Sequence, residues 1–304
     1  MLMQEVKSEK LTWIDFESPG ADDVLYLKKN FDLHPLVLEE FSTPTIRPKA
    51  AEYETCLYLT IHIPLFDLES RTTHPGEIDI VINKNTLITA HTKEVPQLTD
   101  FFNELKNSPI KRNLYMNESP GALLRYVIEM LFESCFPKLD HISEKLDYIE
   151  KEIFADHEKE MVLELSLAKR DILNFRRTMK PQKTVLESLV KTDYRFIEPA
   201  LKPYFQDLIG TNIRIWNNLE SAKETIESLE ATNNSLLSNK LDMTMKVLTL
   251  FSAIFLPITV YSNILAMSAN IPFGDNPYGF WIHISIMFFI VLITMTIFKV
   301  KKWL

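Results

Sequence analysis

The chain has 304 residues, of which 46% are hydrophobic, and a formal net charge of −8, which argues against a nucleic-acid partner because such proteins carry a basic face. Only 6 glycines are present, and no Walker or dinucleotide fingerprint is found, so nucleotide chemistry built on a Gly-rich loop is excluded. The 2 cysteines, Cys56 and Cys135, have no motif spacing and suit a reducing compartment better than a disulfide framework.

Residues 1–115 read as a mixed α/β domain. LTWIDFE (11–17) alternates like a strand and ends at the turn signal Ser18-Pro19-Gly20. ADDVLYLKKNF is helical, with acids in its first turn and lysines in its last, the order the helix dipole favours. HPLVLEEF (34–41) gives a second short helix, closed by the proline-bearing stretch 44–48. CLYLTIHIPLF, EIDIVINKN and TLITAHT are three strands, two of them apolar along most of their length and so placed mid-sheet. VPQLTDFFNEL is a short amphipathic helix.

From residue 116 to 202 the pattern is a helical layer. SPGALLRYVIEMLFESCFPKLDHISEKLDYIEKEIF opens with a cap signal and carries apolar residues at i, i+3, i+4 and i+7, which predicts one helix. LELSLAKRDILNFRRTMKPQKTVLESLV gives a second, which Pro181 interrupts or ends. Its Glu/Lys interleaving is either a solvated face or an intersubunit salt-bridge surface.

Residues 203–268 form a single long helix, since no Pro or Gly lies between Gly210 and Pro257. The polar part places Ile213, Trp216, Leu219, Ile226, Leu229 and Leu236 at helical spacing. The last third, VLTLFSAIFLPITVYSNILAMS (247–268), has no charge and is long enough to cross a bilayer. At 1.5 Å per residue the run 204–267 is roughly 95 Å long, a rod suited to joining a cytosolic domain to a membrane pore.

A second apolar run, FWIHISIMFFIVLITMTIF (280–298), follows a loop at 269–279 that has neither Lys nor Arg. Lys240 and Lys246 precede the first run; Lys299, Lys301 and Lys302 follow the second, in a basic tail at 299–304. The positive-inside rule puts both termini in the cytoplasm and the loop outside, giving a multi-pass hairpin in the cell's inner (plasma) membrane. Two buried helices of a globular core are the alternative reading, and a signal peptide is not, since that would lie at the N-terminus.

Several stretches together resemble the CorA family of two-transmembrane divalent-cation channels, over essentially the whole chain. They are WIDFE (13–17), LHPLVLEEF (33–41), IRPKAAEYETCLYLTI (46–61), INKNTLITAHT (82–92), LAKRDILNFRRTMKPQKTVLESL (167–189), YFQDL (204–208), MKVLTLFSAIFLPIT (245–259) and FKVKKWL (298–304). The resemblance implies a homopentamer with a cytosolic α/β/α sandwich, a funnel of long helices, and a pore lined by the first transmembrane helix. It implies Mg²⁺ as the leading transported ion, with Co²⁺, Ni²⁺ or Zn²⁺ behind it, and membrane lipid, the cation and further copies of the chain as partners. No organic cofactor is implied.

One departure stands out. The family signature Gly-Met-Asn at the outer end of the first span is Ala266-Met267-Ser268 here, preceded by Leu265, and a Gly one turn earlier is Asn263. Mg²⁺ gives up water reluctantly, so its channels tend to recognise the hydrated ion. Ser268 keeps a hydroxyl acceptor but reaches less far than Asn, and Asn263 or Asn270 can stand in for it.

Read at helical period, one stripe of the first span runs Asp242, Met245, Thr249, Ser252, Leu256, Thr259, Asn263, with Leu248 nearby. Polar rings alternate with apolar collars, which matches a cation pore that holds a water shell and gates by dewetting. Taken singly, each Thr or Ser is equally explained by a bond to its own helix carbonyl. Asp242 replaces the family's usual Asn at the cytoplasmic mouth, where five carboxylates would concentrate cations; the alternative is an outward Asp near Lys240 or Lys246. Pro257 frees the carbonyl of Ala253. In the outer loop Asp275 is the sole acid, either an attractor of cations or an ordinary turn residue.

Asp207 matches a position that in the family helps bind regulatory Mg²⁺ between subunits, and its partner acid is expected near Asp67 or Glu69. His283 lies in the second span, as a proton-sensitive or metal-contacting group or as a headgroup-level residue. The histidines form no H-x-E or H-E-x-x-H pattern and no Ser/His/Asp motif stands out, so no enzyme is expected. Two rival readings remain: a ZntB-like zinc or proton-coupled transporter, and a non-conducting sensor or scaffold of CorA fold that has lost its filter.

Overall fold

The computed structural model describes residues 3–41, 43–45, 47–91, 95–267, 272–273 and 276–301. These fall into two compact units, Met1–Ala231 and Thr232–Leu304. The α/β stretch and the helical layer that the sequence separates near residue 115 share the first unit.

Six strands make one sheet in the first unit: β1 (Met3–Lys7), β2 (Thr12–Glu17), β3 (Lys49–Glu52), β4 (Leu57–Asp67), β5 (Thr72–Ile82) and β6 (Thr86–His91). Their order is β1-β2-β6-β5-β4-β3. Among the described residues β2 and β6 alone pair in parallel, with Ile14 opposite Ile88; the other neighbours are antiparallel. Every residue of β6 after Thr86 is buried, as are the first eight of β4, which fits strands covered on both faces.

Alternation divides the apolar residues between those faces. Ile14, Phe16, Tyr58, Val81, Ile88 and Ala90 pack with Leu27 of α1 (Ala21–Asn30) and Val37 and Leu38 of α2 (Pro35–Glu40). On the opposite face the Trp13 ring meets Phe101 and Phe102 of α3 (Pro96–Asn107) at 5.8 and 4.9 Å. Each face also buries a carboxylate. Asp15 takes the hydroxyl of Thr89 and lies 3.4 Å from His91 Nε2; Asp79 takes the hydroxyl of Tyr58.

The helical part departs from expectation in one respect. The single helix predicted over 119–154 is two, α5 (Pro120–Glu133) and α6 (Phe136–Phe154), with α4 (Pro109–Tyr115) before them. Pro137 lies in the first turn of α6 and has no N–H to offer the carbonyl four residues back, so the ladder breaks although the apolar spacing continues. Pro181 separates α7 (Glu158–Met179) from α8 (Gln182–Lys191) as predicted.

The last two helices are α9 (Lys202–Met267) and α10 (Gly279–Val300). Within the first unit α9 buries Phe205, Leu208, Ile215, Leu219, Ile226 and Leu229. Ile213, expected on that stripe, is 40% exposed, and Trp216 is half-buried under the guanidinium of Arg176 at 4.8 Å. The inward register is therefore carried by Ile215, two positions on from Ile213.

Candidate functional site

Among the described residues two helices are long and apolar enough to cross a membrane, α9 in its last third and α10, and no residue in the apolar stretch of either is fully buried in this chain. In a monomer in water such surfaces would be costly, at about 25 cal/mol per Å² of apolar area. They need lipid or further copies to cover them.

The exposure of α9 between 250 and 266 is not uniform. Leu250, Ala253, Ile254, Pro257, Ile258, Tyr261, Ser262 and Leu265 are half-buried, a stripe in steps of three and four. Asp242, Met245, Leu248, Thr249, Ser252, Leu256, Thr259, Asn263, Ala266 and Met267 are all exposed. At 100° per residue these positions lie on the other side of the helix from the half-buried stripe. The helix continues through Pro257.

Hydroxyls on the exposed stripe are committed to their own helix. Thr249 Oγ1 donates to the Met245 carbonyl at 2.7 Å, Ser252 Oγ to Leu248 at 2.9 Å, and Thr259 Oγ1 to Phe255 at 2.8 Å. Each proton is thus turned inward, and each oxygen is left with lone pairs that only accept. Acceptors are what the hydrogens of a cation's water shell require. Among the described residues Asp242 has no ion pair, and Met245, Leu248 and Leu256 supply the apolar positions between the polar ones. Ser268, the last residue of the variant triplet, lies outside the described residues, as do Asn270 and Asp275.

Sequence reasoning missed the partners of His283. Its Nδ1 lies 2.7 Å from the Tyr261 hydroxyl of α9 and its Nε2 lies 2.9 Å from the carbonyl oxygen of Pro272. The available signal was depth: each is a polar-tipped side chain in an uncharged run, within about two turns of the connecting loop.

In the first unit Asp67 ends β4. Its carboxylate accepts from the Ser70 hydroxyl and the Glu69 amide, both at 2.9 Å, and the Ser70 bond chiefly holds its pKa below the usual range. Asp207 is exposed on the second turn of α9. Among the described residues no group of three or more His, Cys, Asp or Glu side chains is arranged to hold a metal ion, so neither acid joins such a cluster.

The sequence matches the family described as CorA-like Mg²⁺ transporter protein over residues 8–302. The chain belongs to the CorA family. A cobalt/magnesium transport protein CorA from Thermotoga maritima is 28% identical over 296 residues, covering 96% of this chain and 83% of that protein. A zinc transport protein ZntB from Pectobacterium carotovorum is 21% identical, covering 98% and 90%. The complete structure of the CorA magnesium transporter from Methanocaldococcus jannaschii superposes with a TM-score of 0.85 at 21% identity, covering 99% of this chain and 94% of that one. The CorA fold therefore holds throughout: an N-terminal α/β domain and two C-terminal helices with apolar stretches, of which the first is the end of the long helix α9. The chain is a membrane protein and a divalent-cation transporter of the CorA type.

Proposed function

We propose that five copies of the chain form a pore that carries Mg²⁺ down its electrochemical gradient across the cell's inner membrane. In this arrangement the exposed stripe of α9 from Asp242 to Asn263 lines the pathway. Ala266, Met267 and Ser268 form its outer filter, and Asp275 helps to draw cations to the mouth. Both termini lie in the cytoplasm with residues 1–115 as an α/β domain, 116–202 as a helical layer and 203–246 as the stalk.

The observation that carries the reading is the division of α9 into a half-buried stripe and an opposite exposed stripe whose hydroxyl oxygens present acceptors only. A hydrated divalent ion needs hydrogen-bond acceptors rather than direct ligands, because Mg²⁺ dehydrates reluctantly. A ring of five Asp242 carboxylates at the inner mouth would raise the local cation concentration. Asp207 of one copy and Asp67 of the next are proposed to share a regulatory Mg²⁺, whose departure would leave two carboxylates repelling each other.

A proton-coupled zinc mode is the second reading, supported by the ZntB relative, though at lower identity than the cobalt/magnesium one. Uptake into proteoliposomes loaded with a Mg²⁺-sensitive dye, with and without a pH gradient, separates them. Flux that needs no pH gradient and is blocked by cobalt hexammine, a mimic of hydrated Mg²⁺, is the expected result. Zinc flux that depends on the gradient would favour the second reading. No flux of Mg²⁺, Co²⁺, Ni²⁺ or Zn²⁺ would replace both with a non-conducting sensor.

A further inference from the structure

His283 is the one imidazole of the second span, and both of its nitrogens are engaged. A carbonyl oxygen only accepts, so the 2.9 Å contact with Pro272 means that Nε2 carries the proton and donates it. In the neutral ring Nδ1 then has a lone pair, which accepts the Tyr261 hydroxyl at 2.7 Å. One side chain of α10 thereby holds a side chain of α9 and the backbone of the segment that joins them. Tyr261 belongs to the half-buried stripe, away from the exposed stripe that bears Thr259 and Asn263. Because a single imidazole makes both bonds, the positions of the three groups are linked.

Pro272 is five residues beyond Met267, where α9 ends. The His283 bond fixes the position of the Pro272 carbonyl. We infer that His283 is a positioning residue for the outer mouth of the pathway, tying Pro272 to both spans. The inference rests on the pore reading above in assigning that mouth to ion passage; the tie itself does not. It gives His283 a role distinct from metal contact or headgroup anchoring, since neither nitrogen is left over for a cation.

The test uses the full-length protein, purified and reconstituted, as wild type, His283→Ala, His283→Gln, Tyr261→Phe and the double variant Tyr261→Phe/His283→Ala. Gln retains an N–H donor and an oxygen acceptor and so can remake both bonds. Amide exchange at Asn276 and Gly279, whose N–H groups bond to the Phe273 and Asn276 carbonyls, reads the loop directly. Exchange should speed up by ~10-fold in His283→Ala, the effect of losing about one net hydrogen bond, and return most of the way in His283→Gln. The concentration of cobalt hexammine needed to block uptake should rise similarly in His283→Ala and recover in His283→Gln. Tyr261→Phe should move both readouts in the same direction, and the double variant should add little to His283→Ala. Wild-type exchange in both His283→Ala and Tyr261→Phe would overturn the tie, as would equal losses in the Ala and Gln variants. A wild type that carries no ion would end the pore reading, while the exchange comparison would still decide the tie. Should His283→Ala fail to assemble, Tyr261→Phe alone carries the exchange test.

Discussion

Tyr58 and Asp79, on neighbouring strands β4 and β5, meet beneath α1 and α2 with the phenol donating to Asp79 Oδ1 at 2.7 Å. Thr60 Oγ1 lies 3.0 Å from the same carboxylate oxygen. Burial pushes the Asp79 carboxyl up to about 7, against the lowering influence of Tyr58 and Thr60, and Glu77 opposes ionisation further. Burial also raises the Tyr58 phenol, so at neutral pH the proton stays on the tyrosine.

The sign of the pH dependence follows. Asp79 holds its proton in the folded state up to about pH 7, whereas in the unfolded chain it loses it near its ordinary value of 3.8. Its contribution to stability is complete below pH 3.8 and is lost as pH rises through 7. Asp79→Asn keeps an acceptor for Tyr58 and cannot ionise. It should therefore stabilise the protein at pH 8 by up to ~4 kcal/mol and change little at pH 4. Melting of the detergent-solubilised protein at both pH values checks this; an equal shift at pH 4 and pH 8 would count against it.

At Gly76 the Leu65 side chain occupies the space a Cβ would take. A Cβ there would fall 2.3 Å from Leu65 Cδ1 and 2.7 Å from Cγ, across the β4–β5 pair. Gly76→Ala should destabilise the protein by ~1–3 kcal/mol, as overpacking does. Adding Leu65→Ala should recover part of the loss, because the clash is with that side chain alone at these distances. A simple sum of the two penalties would contradict the account.

Both cysteines are buried, and burial raises their thiols, Cys135 to about 12. The thiolate is the reactive form, so maleimide at pH 7.4 should label neither in the folded protein and both after denaturation. Mass spectrometry gives the count. Labelling of the native protein within minutes would mean that the core around these residues opens readily.

Asp242→Asn should lower Mg²⁺ uptake several-fold at low ion concentration and less at saturating concentration. On the proposed pore reading the variant removes an attractor of cations but leaves the hydroxyl stripe intact. Raising ionic strength should narrow the gap between the two proteins, since exposed charges are screened. A uniform loss at every Mg²⁺ concentration would point to a structural role instead.

Asp207→Ala should remove Mg²⁺-dependent protection from protease if Asp207 and Asp67 hold a regulatory ion across a subunit boundary. The same variant should leave protection in the absence of Mg²⁺ unchanged. Unaltered protection by Mg²⁺ would retire that pair as a site.

Much of the fold was legible in the residues. The strands at 57–67 and 86–91 announce themselves through β-branched and apolar residues along most of their length, and the prolines at 181 and 257 sit where a helix must end or lose a bond. Two strands escaped: β1 and β3 are short, only partly buried edge strands with mixed composition, stabilised by pairing with a neighbour rather than by their own pattern. The split between α5 and α6 was hidden because apolar spacing runs straight through Pro137. In the second unit the exposed stripe of α9 follows from helical period alone, but Tyr261 and His283 are 22 residues apart and their meeting depends on how the hairpin closes. Sequence spacing carries no information about that.

The parallel pairing of β2 with β6 sets a schedule for synthesis. A ribosome making this chain releases β1 and β2 long before the strand that must lie beside them, and β2 has an unsatisfied edge until residue 91 emerges. During that interval the amino-terminal hairpin is a template for wrong partners, and a chaperone would have most to do there. The apolar third of α9 is made about 150 residues later, roughly 8–30 s at ordinary elongation rates. The strand that completes the β2 edge is thus synthesised well before the first membrane span, and a nascent chain stalled short of residue 91 would carry that open edge.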